Sequence, residues 1–408
     1  MKVVFISNYI NHHQIPFSNA MNELLSGDYA FIQTEKMEEE RIRMGWQQEN
    51  DFSYLYKYYE EPEKCARMIL DADVAIFGGT DEEAYIVERL KLGKVVIRYS
   101  ERLYKSGQWK AISPRGLKKK YNDHTKYRNK EVYLLCSGAY VSSDFHIVRA
   151  YPNKMLRWGY FPEMKEYENE AELFAKKQAG HILWAARFTD WKHAELPLMT
   201  AKYLKEKGCK FHMDIIGGGD CEELVQKLYK EYELSDCVTL QGFKTPTEVR
   251  WFMEKADIYL VTSDRNEGWG AVVNEAMNSG CAVVANHMIG AVPFMITSGE
   301  NGYIYCDGKN QQLFSYVEKL LLNREKCQSM GKKAMKTVSG EWNAKEAAIR
   351  LLSFCVKKAF LNKEDIDAKE IDEKYLKSEG MFYAEGPCSL APILSERRQY
   401  KKYGKTID

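Results

Sequence analysis

Short apolar runs recur along the whole chain, and segments with a helical spacing of hydrophobic positions separate them. Several runs are continuously apolar instead of alternating, which is typical of parallel strands covered on both faces. The alternation of such strands with helices predicts an α/β protein with two doubly wound domains. The predicted strands are Val3–Ser7, Tyr29–Gln33, Val74–Phe77, Val95–Tyr99, Val132–Cys136, His181–Ala186, His212–Ile216, Val238–Gln241, Ile258–Thr262 and Ala282–Ala285.

The length of 408 residues also favours two domains, because a single hydrophobic core stops growing at roughly 250–300 residues. The boundary is predicted within Trp158–Asn169, a segment with two turn-forming residues and a run of charges. The chain is thereby divided into residues 1–162, 163–340 and 341–408. The last part begins with an amphipathic helix predicted at Glu341–Phe360 and ends in a charged tail.

Charge and cysteine content narrow the class of protein. The net charge of +1 leaves no overall field that would draw the chain to nucleic acid or to membranes. Ten cysteines are scattered without a Cys-x-x-Cys pair, which favours a reducing compartment. The first apolar run is too short for a signal peptide, and no stretch reaches the ~18–20 apolar residues of a membrane span. We expect a cytoplasmic protein, with peripheral contact to the inner face of a membrane left open.

The strongest chemical signal is the stretch from Glu267 to Glu275, which reads Glu-Gly-Trp-Gly-Ala-Val-Val-Asn-Glu. A helix is predicted over Ala271–Asn278, so the first glutamate lies in the strand-to-helix loop and the second about two turns into the helix. Ligands of open α/β sheets bind at the carboxyl ends of the strands. The free N–H groups and the positive dipole end of such a helix suit a diphosphate, and carboxylates accept hydrogen bonds from sugar hydroxyls.

Two further groups follow predicted strand ends on the same side. Arg187 and Lys192 come after the strand at His181–Ala186, and both side chains are suited to phosphate oxygens. A tight turn, Gly217–Gly219, closes the next strand. It does not fit a dinucleotide-binding fingerprint, because the third glycine of that pattern would be Glu222.

The order of Arg187, Lys192, the glycine turn and Glu-x7-Glu resembles family 4 of the retaining GT-B glycosyltransferases, the glycosyl transferases group 1. The resemblance covers about His181 to Glu341 and is weaker in the N-terminal half. It implies a GT-B fold, in which two Rossmann-like domains face each other across a cleft. It further implies that residues 163–340 bind a nucleotide-sugar, that residues 1–162 form the acceptor side, and that residues 341–408 return to the first domain.

The resemblance also implies roles for single residues. Glu267 would bind hydroxyls of the donor sugar, Glu275 the nucleotide ribose, and Arg187 and Lys192 the diphosphate. Glu267, Arg187 and Lys192 are therefore the candidate catalytic residues. The other donor-binding candidates are Glu275, Gly217, Gly219, Phe243, Gly268, Trp269, Gly270 and Ala271. For Trp269 a place in the core is an equal alternative.

The acceptor side departs from the family at its start. Many members carry a glycine pair in the first strand–helix loop, whereas this loop reads Asn8–Gln14. The acceptor-side candidates follow predicted strand ends and are His12, His13, Ser100, Glu101 and Arg102. The two histidines are not expected to bind metal, because adjacent side chains rarely face the same way and no carboxylate is near in sequence.

No divalent metal and no cofactor besides the nucleotide-sugar substrate are expected. Two Asp-x-Asp matches exist, but Asp71–Asp73 precedes its strand and Asp365–Asp367 lies in the charged tail. The diphosphate charge would instead be balanced by Arg187, Lys192 and the helix dipole.

The segment from Arg98 to Lys130 carries eleven Lys and Arg residues against two acidic ones, with interspersed aromatics. One interpretation is a solvated loop. Another is contact with anionic lipid or a lipid-diphosphate acceptor. Single-stranded nucleic acid is the weakest interpretation, and no nucleic-acid partner is expected.

Taken together, the sequence predicts a glycosyltransferase of hexosyl or N-acetylhexosaminyl type that moves a sugar from a nucleotide-sugar to a glycan or lipid-linked acceptor. Retention at the anomeric carbon is implied by the resemblance alone. One alternative is a sugar-nucleotide epimerase or a phosphorylase of the same architecture. The other is a catalytically silent module that binds nucleotide-sugars or membranes.

Overall fold

The computed structural model describes residues 1–39, 51–80, 83–105 and 113–366, which form two compact units. Unit 1 contains Met1–Glu163 and, from Asn343 on, the remaining described residues. Unit 2 is the continuous stretch Met164–Trp342. Among the described helices, none is long and apolar enough to cross a membrane.

Unit 1 is built on a parallel sheet with the strand order β3-β2-β1-β4-β5-β6-β7. Its strands are β1 (Val3–Ser7), β2 (Tyr29–Gln33), β3 (Leu55–Lys57), β4 (Val74–Gly78), β5 (Val95–Ser100), β6 (Val132–Ser137) and β7 (Met155–Trp158). Its helices are α1 (Ile15–Leu24), α2 (Pro62–Asp71), α3 (Glu83–Lys91), α4 (Pro114–Asp123) and α5 (Val141–Ile147). Strands β1, β4 and β6 are buried along their whole length, as their continuous apolar runs predict.

Unit 2 has a second parallel sheet with the order β10-β9-β8-β11-β12-β13. Its strands are β8 (Gln178–Ala185), β9 (His212–Ile216), β10 (Val238–Gly242), β11 (Ala256–Val261), β12 (Ala282–Asn286) and β13 (Gly302–Tyr305). Its helices are α6 (Glu170–Lys176), α7 (Glu195–Glu206), α8 (Glu222–Glu231), α9 (Pro246–Lys255), α10 (Ala271–Asn278), α11 (Val292–Met295), α12 (Asn310–Leu322) and α13 (Arg324–Gly340).

The prediction of two doubly wound α/β domains is confirmed, and each predicted strand is present. The prediction missed β3, β7 and β13, which have three or four residues each. All three lie at the edge of a sheet. Since an edge strand pairs on one side only, it can be short and carries a weaker apolar pattern.

The last described helix, α14 (Ala344–Lys357), belongs to unit 1 and packs against α1. Asn343 begins it as an N-cap, because its side-chain oxygen accepts a hydrogen bond from the N–H of Glu346 at 2.9 Å. Its apolar face is buried, and Phe354 packs edge-on against Tyr133 of β6 with ring centroids 5.1 Å apart. Along the sequence, the last described segment of unit 1 therefore comes after the whole of unit 2.

An aromatic cluster stabilises unit 2 beside α10. The rings of Trp269 and Trp342 lie 5.4 Å apart, and Phe294 stacks on Trp342 at 5.6 Å. Both indoles are only 1% exposed. The Trp269 indole N–H donates to Asn274 at 2.8 Å, so the one polar atom of that buried ring is satisfied.

We expect Trp342→Ala to lower the free energy of unfolding by about 3–5 kcal/mol, because it leaves a large cavity in this cluster. Trp251→Ala is the matched control, since that indole is 50% exposed and its removal should cost less than about 1 kcal/mol. Urea unfolding followed by circular dichroism measures both. Equal losses would contradict a core role for Trp342.

Candidate active site

The loop after β8 and the glycine turn after β9 lie main chain against main chain. The N–H of Phe188 donates to the carbonyl of Gly218 at 2.9 Å. A Cβ on Gly217 would lie 1.9 Å from the Ala186 carbonyl oxygen, and the φ of Gly217 is +148°. Only glycine permits so close an approach. This contact fixes the loop that carries Arg187, whose side chain is exposed and forms no ion pair within the described residues.

A short 3₁₀ turn, Asp190–Lys192, continues this loop and is tied to the end of β11. The Thr262 hydroxyl donates to the Lys192 carbonyl at 2.7 Å and accepts from the Trp184 indole at 2.7 Å. In addition, the N–H of Asp264 donates to the Trp191 carbonyl at 3.0 Å. The loops after β8 and β11 therefore form one connected structure at the carboxyl edge of the sheet.

This connection brings two predicted site residues into direct contact. The Lys192 ammonium forms an ion pair with the Glu267 carboxylate. Their side chains are 15% and 14% exposed, so the pair is shielded but reachable from solvent. The two residues are 75 positions apart in the chain. A cation suited to phosphate thus lies beside a carboxylate suited to hydroxyl groups.

Helix α10 begins next to this pair. Its N-cap is Gly270 with φ +88°, and the described residues supply no side-chain cap. A Cβ at Gly270 would lie 2.7 Å from a methyl carbon of Ile289, which explains the glycine. Gly268, two residues earlier, lies in the same bend. The first N–H groups of the helix therefore have no side-chain partner, and the positive end of its dipole suits an anion.

Glu275 lies one turn into α10 and not the two turns expected from the sequence, because only four residues separate it from Ala271. These two residues therefore share a face of the helix. Along α10, only Ala271, Val272 and Glu275 are partly exposed. Burial raises the pKa of the Glu275 carboxyl, and the Arg250 guanidinium opposes that shift. Arg250 also donates to the Glu275 carbonyl at 3.1 Å, which fixes the second half of the helix.

Three other donor-site candidates lie in contrasting surroundings. The side chain of Trp269 is in the aromatic core, so any contact of this position with a ligand falls to its main chain. Phe243 follows β10 and is 77% exposed, the most exposed large hydrophobic side chain in the described residues. Gly219 closes the glycine turn against the Phe188 carbonyl, and a Cβ there would lie 2.9 Å from that oxygen.

In unit 1, several acceptor-side candidates form a cluster at the carboxyl edge of the sheet. Tyr160 donates its hydroxyl hydrogen bond to Glu101, and Lys105 forms an ion pair with the other oxygen of Glu101 at 2.5 Å. The His13 ring stacks on Tyr160 with centroids 5.7 Å apart, and the His12 ring lies 3.8 Å from that of His13. Burial lowers the pKa of His12, and burial together with His12 lowers the pKa of His13 to about 3. Both imidazoles are therefore neutral at physiological pH.

The remaining two candidates of unit 1 make internal contacts. The Ser100 hydroxyl donates to the Glu101 carbonyl at 2.8 Å. Arg102 differs from the expectation of a ligand-facing residue, because its side chain is 1% exposed and pairs with the buried Asp144 at 3.4 Å. A buried guanidinium requires such a partner, so Arg102 holds the loop after β5 against α5.

The structure also shows that part of the positive charge in the predicted basic segment, Arg98 to Lys130, is buried or paired. Arg98 is buried and donates to the Asp123 carbonyl, and Lys126 pairs with Glu83 at 2.5 Å. Residues 106–112 lie outside the described residues, as do the tail from residue 367 and with it the second carboxylate of Asp365–Asp367. The described positive charge of this segment that remains exposed lies on α4 and, beyond it, at Lys126, Arg128 and Lys130. Helix α4 has no buried residue.

Sequence reasoning missed four residues of the two sites: Thr262, Asp264 and His193 in unit 2, and Tyr160 in unit 1. Thr262, Asp264 and Tyr160 follow strand ends directly, so the rule that selected Arg187 and Ser100 could have selected them as well. His193 carries a different signal. It directly follows Lys192, but its importance depends on two carboxylates that its ring contacts. Asp264 is distant in sequence, and Glu195 is brought close by the start of α7.

Part of the chain is similar in sequence to known glycosyltransferases. Residues 166–337 match the family model of the glycosyl transferases group 1. The amylovoran biosynthesis glycosyltransferase AmsK of Erwinia amylovora is 32% identical over 151 residues, which are 36% of this chain and 37% of AmsK. The putative colanic acid biosynthesis glycosyltransferase WcaL of Escherichia coli is 30% identical over 30% of this chain and 31% of WcaL. The chain thus spans about a third to two fifths of these curated relatives.

Solved structures extend the similarity to both units. HepE of Anabaena, solved with UDP, has a TM-score of 0.62 at 13% identity and covers 87% of this chain and 100% of its own. WaaG, a glycosyltransferase involved in lipopolysaccharide biosynthesis, has a TM-score of 0.56 at 14% identity and covers 85% of this chain and 98% of its own. The chain therefore has the GT-B fold of glycosyltransferases. Within this fold, the match to the family model of the glycosyl transferases group 1 lies in unit 2 and covers residues 166–337.

We expect Gly217→Ala to destabilise unit 2 and to disorder the loop after β8, because the added methyl overlaps the Ala186 carbonyl. Gly208→Ala is a matched control, since Gly208 also has positive φ (+69°) but no atom lies near its added Cβ. The control should cost only the strain of a left-handed residue, ~1–2 kcal/mol. Chemical denaturation compares the two. Gly217→Ala with the same loss as the control would contradict the close approach.

Proposed function

We propose that this chain is a retaining glycosyltransferase that moves a sugar from a nucleotide-sugar donor to a glycan or lipid-linked acceptor. The observation that carries the proposal is the Lys192–Glu267 ion pair beside the uncapped start of α10. It joins a phosphate-binding group and a hydroxyl-binding group at one point, as the junction of sugar and diphosphate requires. The match of residues 166–337 to the glycosyl transferases group 1 supports the same activity.

In this proposal the donor lies along the carboxyl edge of β8, β9 and β11. Lys192 and the exposed Arg187 donate charge-assisted hydrogen bonds to the diphosphate. The N–H groups at the start of α10 add to its stabilisation. The glycine turn allows the main chain to come close to the ligand. Glu267 accepts hydrogen bonds from the transferred sugar, and Glu275 accepts them from the ribose.

Catalysis then consists of positioning and electrostatic stabilisation. Negative charge grows on the diphosphate as the bond to the sugar breaks, and Arg187, Lys192 and the helix dipole are directed at that charge. Glu267 holds the sugar so that the acceptor hydroxyl meets the anomeric carbon on the retained face. Because these groups already balance the diphosphate, the proposed reaction uses no divalent metal.

The names of AmsK and WcaL suggest the product. AmsK is named as a glycosyltransferase of amylovoran biosynthesis, and WcaL as a putative glycosyltransferase of colanic acid biosynthesis. We propose a cell-envelope polysaccharide intermediate as the acceptor and a hexosyl or N-acetylhexosaminyl unit as the transferred sugar. HepE was solved with UDP and with UDP-glucose, so these two ligands are the first probes to use.

The two glutamates provide the sharpest test. We expect Glu275→Gln to weaken the binding of UDP or another nucleoside diphosphate, because the ribose is part of both product and donor. Glu267→Gln should leave that affinity nearly unchanged and lower turnover on the order of tenfold to a hundredfold, because the sugar is then poorly positioned. Isothermal titration of the diphosphate and donor-hydrolysis rates measure the two effects, with melting temperatures as controls.

The outcomes also separate the alternatives. If Glu267→Gln loses diphosphate affinity and Glu275→Gln does not, the assigned roles are reversed. In the absence of a glycan acceptor, transfer of the sugar to added inorganic phosphate would favour a phosphorylase, and conversion of the donor to its epimer would favour an epimerase. Donor binding without turnover on any acceptor would favour a silent binding module. If neither variant changes binding or turnover, the donor site lies elsewhere.

The absence of a metal from the proposed reaction is tested directly. Transfer activity should survive an excess of EDTA, since the cations of the site are side chains and a helix end. Rates measured before and after chelation, with magnesium or manganese added back, check this. A complete loss that either metal restores would contradict a metal-free mechanism.

We also propose that α4 contacts an anionic membrane surface. Leu117 and Tyr121 are 43% and 57% exposed and lie one turn apart on this helix. Arg115, Lys118 and Lys119 are exposed on the same short helix. Apolar side chains next to Lys and Arg are typical of helices that lie in the membrane interface. Such a contact would bring the enzyme to a lipid-linked acceptor.

Binding to vesicles should therefore require anionic lipid and weaken with salt, since each Lys or Arg near such a surface contributes ~1 kcal/mol. Changing Lys118 and Lys119 to Gln should reduce the bound fraction in a flotation assay. Leu322→Ala, which removes a 75% exposed leucine of unit 2, is the control and should bind normally. Equal binding to neutral and anionic vesicles would argue against the proposal.

A further inference from the structure

His193 ends the turn that carries Lys192, and its backbone is left-handed. Its φ and ψ are +53° and +55°, a region that non-glycine residues occupy at a cost. Residues held in such conformations cluster at functional sites, where the surrounding contacts maintain them. The backbone geometry alone would suit glycine better. The side chain must therefore supply a reason for histidine at this position.

That side chain lies between two carboxylates from different elements. Nδ1 is 2.8 Å from Glu195, the first residue of α7, and Nε2 is 3.7 Å from Asp264 in the loop after β11. A neutral imidazole carries a proton on one nitrogen only, so it could face only one carboxylate as a donor. The charged ring can face both. Asp264 and then Glu195 accordingly raise the pKa of His193 to about 10.

Asp264 in turn organises the residues that lead to Glu267. One of its carboxylate oxygens accepts the N–H of Asn266 at 2.8 Å, and its carbonyl accepts the N–H of Glu267 at 3.1 Å. Its own N–H is bonded to the Trp191 carbonyl. A charge on His193 thus acts on the turn that ends in Glu267 and on the turn that ends in Lys192.

We propose that His193, as an imidazolium, is a positioning residue that holds the Lys192 turn and the Glu267 turn in register for transfer. The inference rests on the proposed function, because it assigns a purpose to the placement of Glu267. His193 itself touches no reacting atom in this account. Its effect passes through Asp264 to the carboxylate that orients the sugar.

Three variants isolate the charge from the backbone. Asn tolerates the left-handed backbone but carries no charge, so His193→Asn removes the imidazolium alone. His193→Gly removes the ring and also the backbone strain. Asp264→Asn removes one of the two carboxylates and leaves the ring in place. A merely structural histidine predicts that His193→Gly is as active as the parent protein.

We expect His193→Asn and His193→Gly to lower transfer turnover by on the order of tenfold to a hundredfold, the effect of one lost charge-assisted contact. Nucleoside diphosphate affinity should change by less than about threefold, because the ribose and phosphate contacts are not moved. For His193→Gly the melting temperature should not fall in proportion, since relief of strain offsets the lost contacts.

Protonation gives a readout that does not need activity. Imidazole nitrogen shifts in the NMR spectrum of the full chain should show His193 charged at pH 8, where an ordinary histidine of pKa ~6.5 is neutral. Asp264→Asn should lower that pKa. Since the folded pKa is raised, the stabilisation by His193 is complete below about pH 6.5 and is lost as the pH rises toward 10. The stability difference between the parent protein and His193→Asn should shrink over that interval.

A neutral His193 at pH 8, or parental turnover in His193→Gly, would overturn the inference. Failure of the proposed function looks different. In that case the parent protein binds no nucleoside diphosphate and transfers no sugar, while the NMR titration still shows a charged His193.

Discussion

Unit 2 of this protein depends on a contact between two stretches of main chain, the glycine turn after β9 and the loop after β8. No side chain separates them at Gly217, so the loop is placed by backbone geometry. The contact therefore fixes the positions of the residues in that loop, which are Arg187, the 3₁₀ turn and Lys192. Hydrogen bonds to Thr262 and Asp264 add the loop after β11 to the same structure. A rigid edge of this kind is what a site needs when its work is to position groups.

Charge at this edge is distributed in pairs. Lys192 faces Glu267, and His193 faces Glu195 and Asp264, whereas Arg187 has no ionic partner in the described residues. The pairs keep several ionised groups in a small volume without strong net charge. In the proposed function, a diphosphate would meet one free guanidinium, one shared ammonium and a helix end, and the acidic groups would orient sugar hydroxyls.

Many of the strands, and the main candidate site residues, could be predicted from the sequence. Buried parallel strands leave continuous apolar runs, so the central strands could be predicted, while the edge strands β3, β7 and β13 could not. Arg187, Lys192, Glu267 and Glu275 were found because their order and spacing resemble a family. The Lys192–Glu267 contact could be expected only as proximity, since a pair 75 residues apart needs coordinates. Burial of Arg102 and Trp269 was equally hidden, because their partners Asp144 and Trp342 lie far along the chain.

The return of α14 to unit 1 has a consequence for synthesis. Unit 2 is one uninterrupted stretch, so a ribosome delivers all of it before it delivers the helix that covers α1. During that interval the surface of α1 that packs against α14 lacks its cover. Domains fold as they emerge, and exposed apolar surface invites association with other chains. In a growing polypeptide unit 2 can therefore fold first, while unit 1 waits for α14.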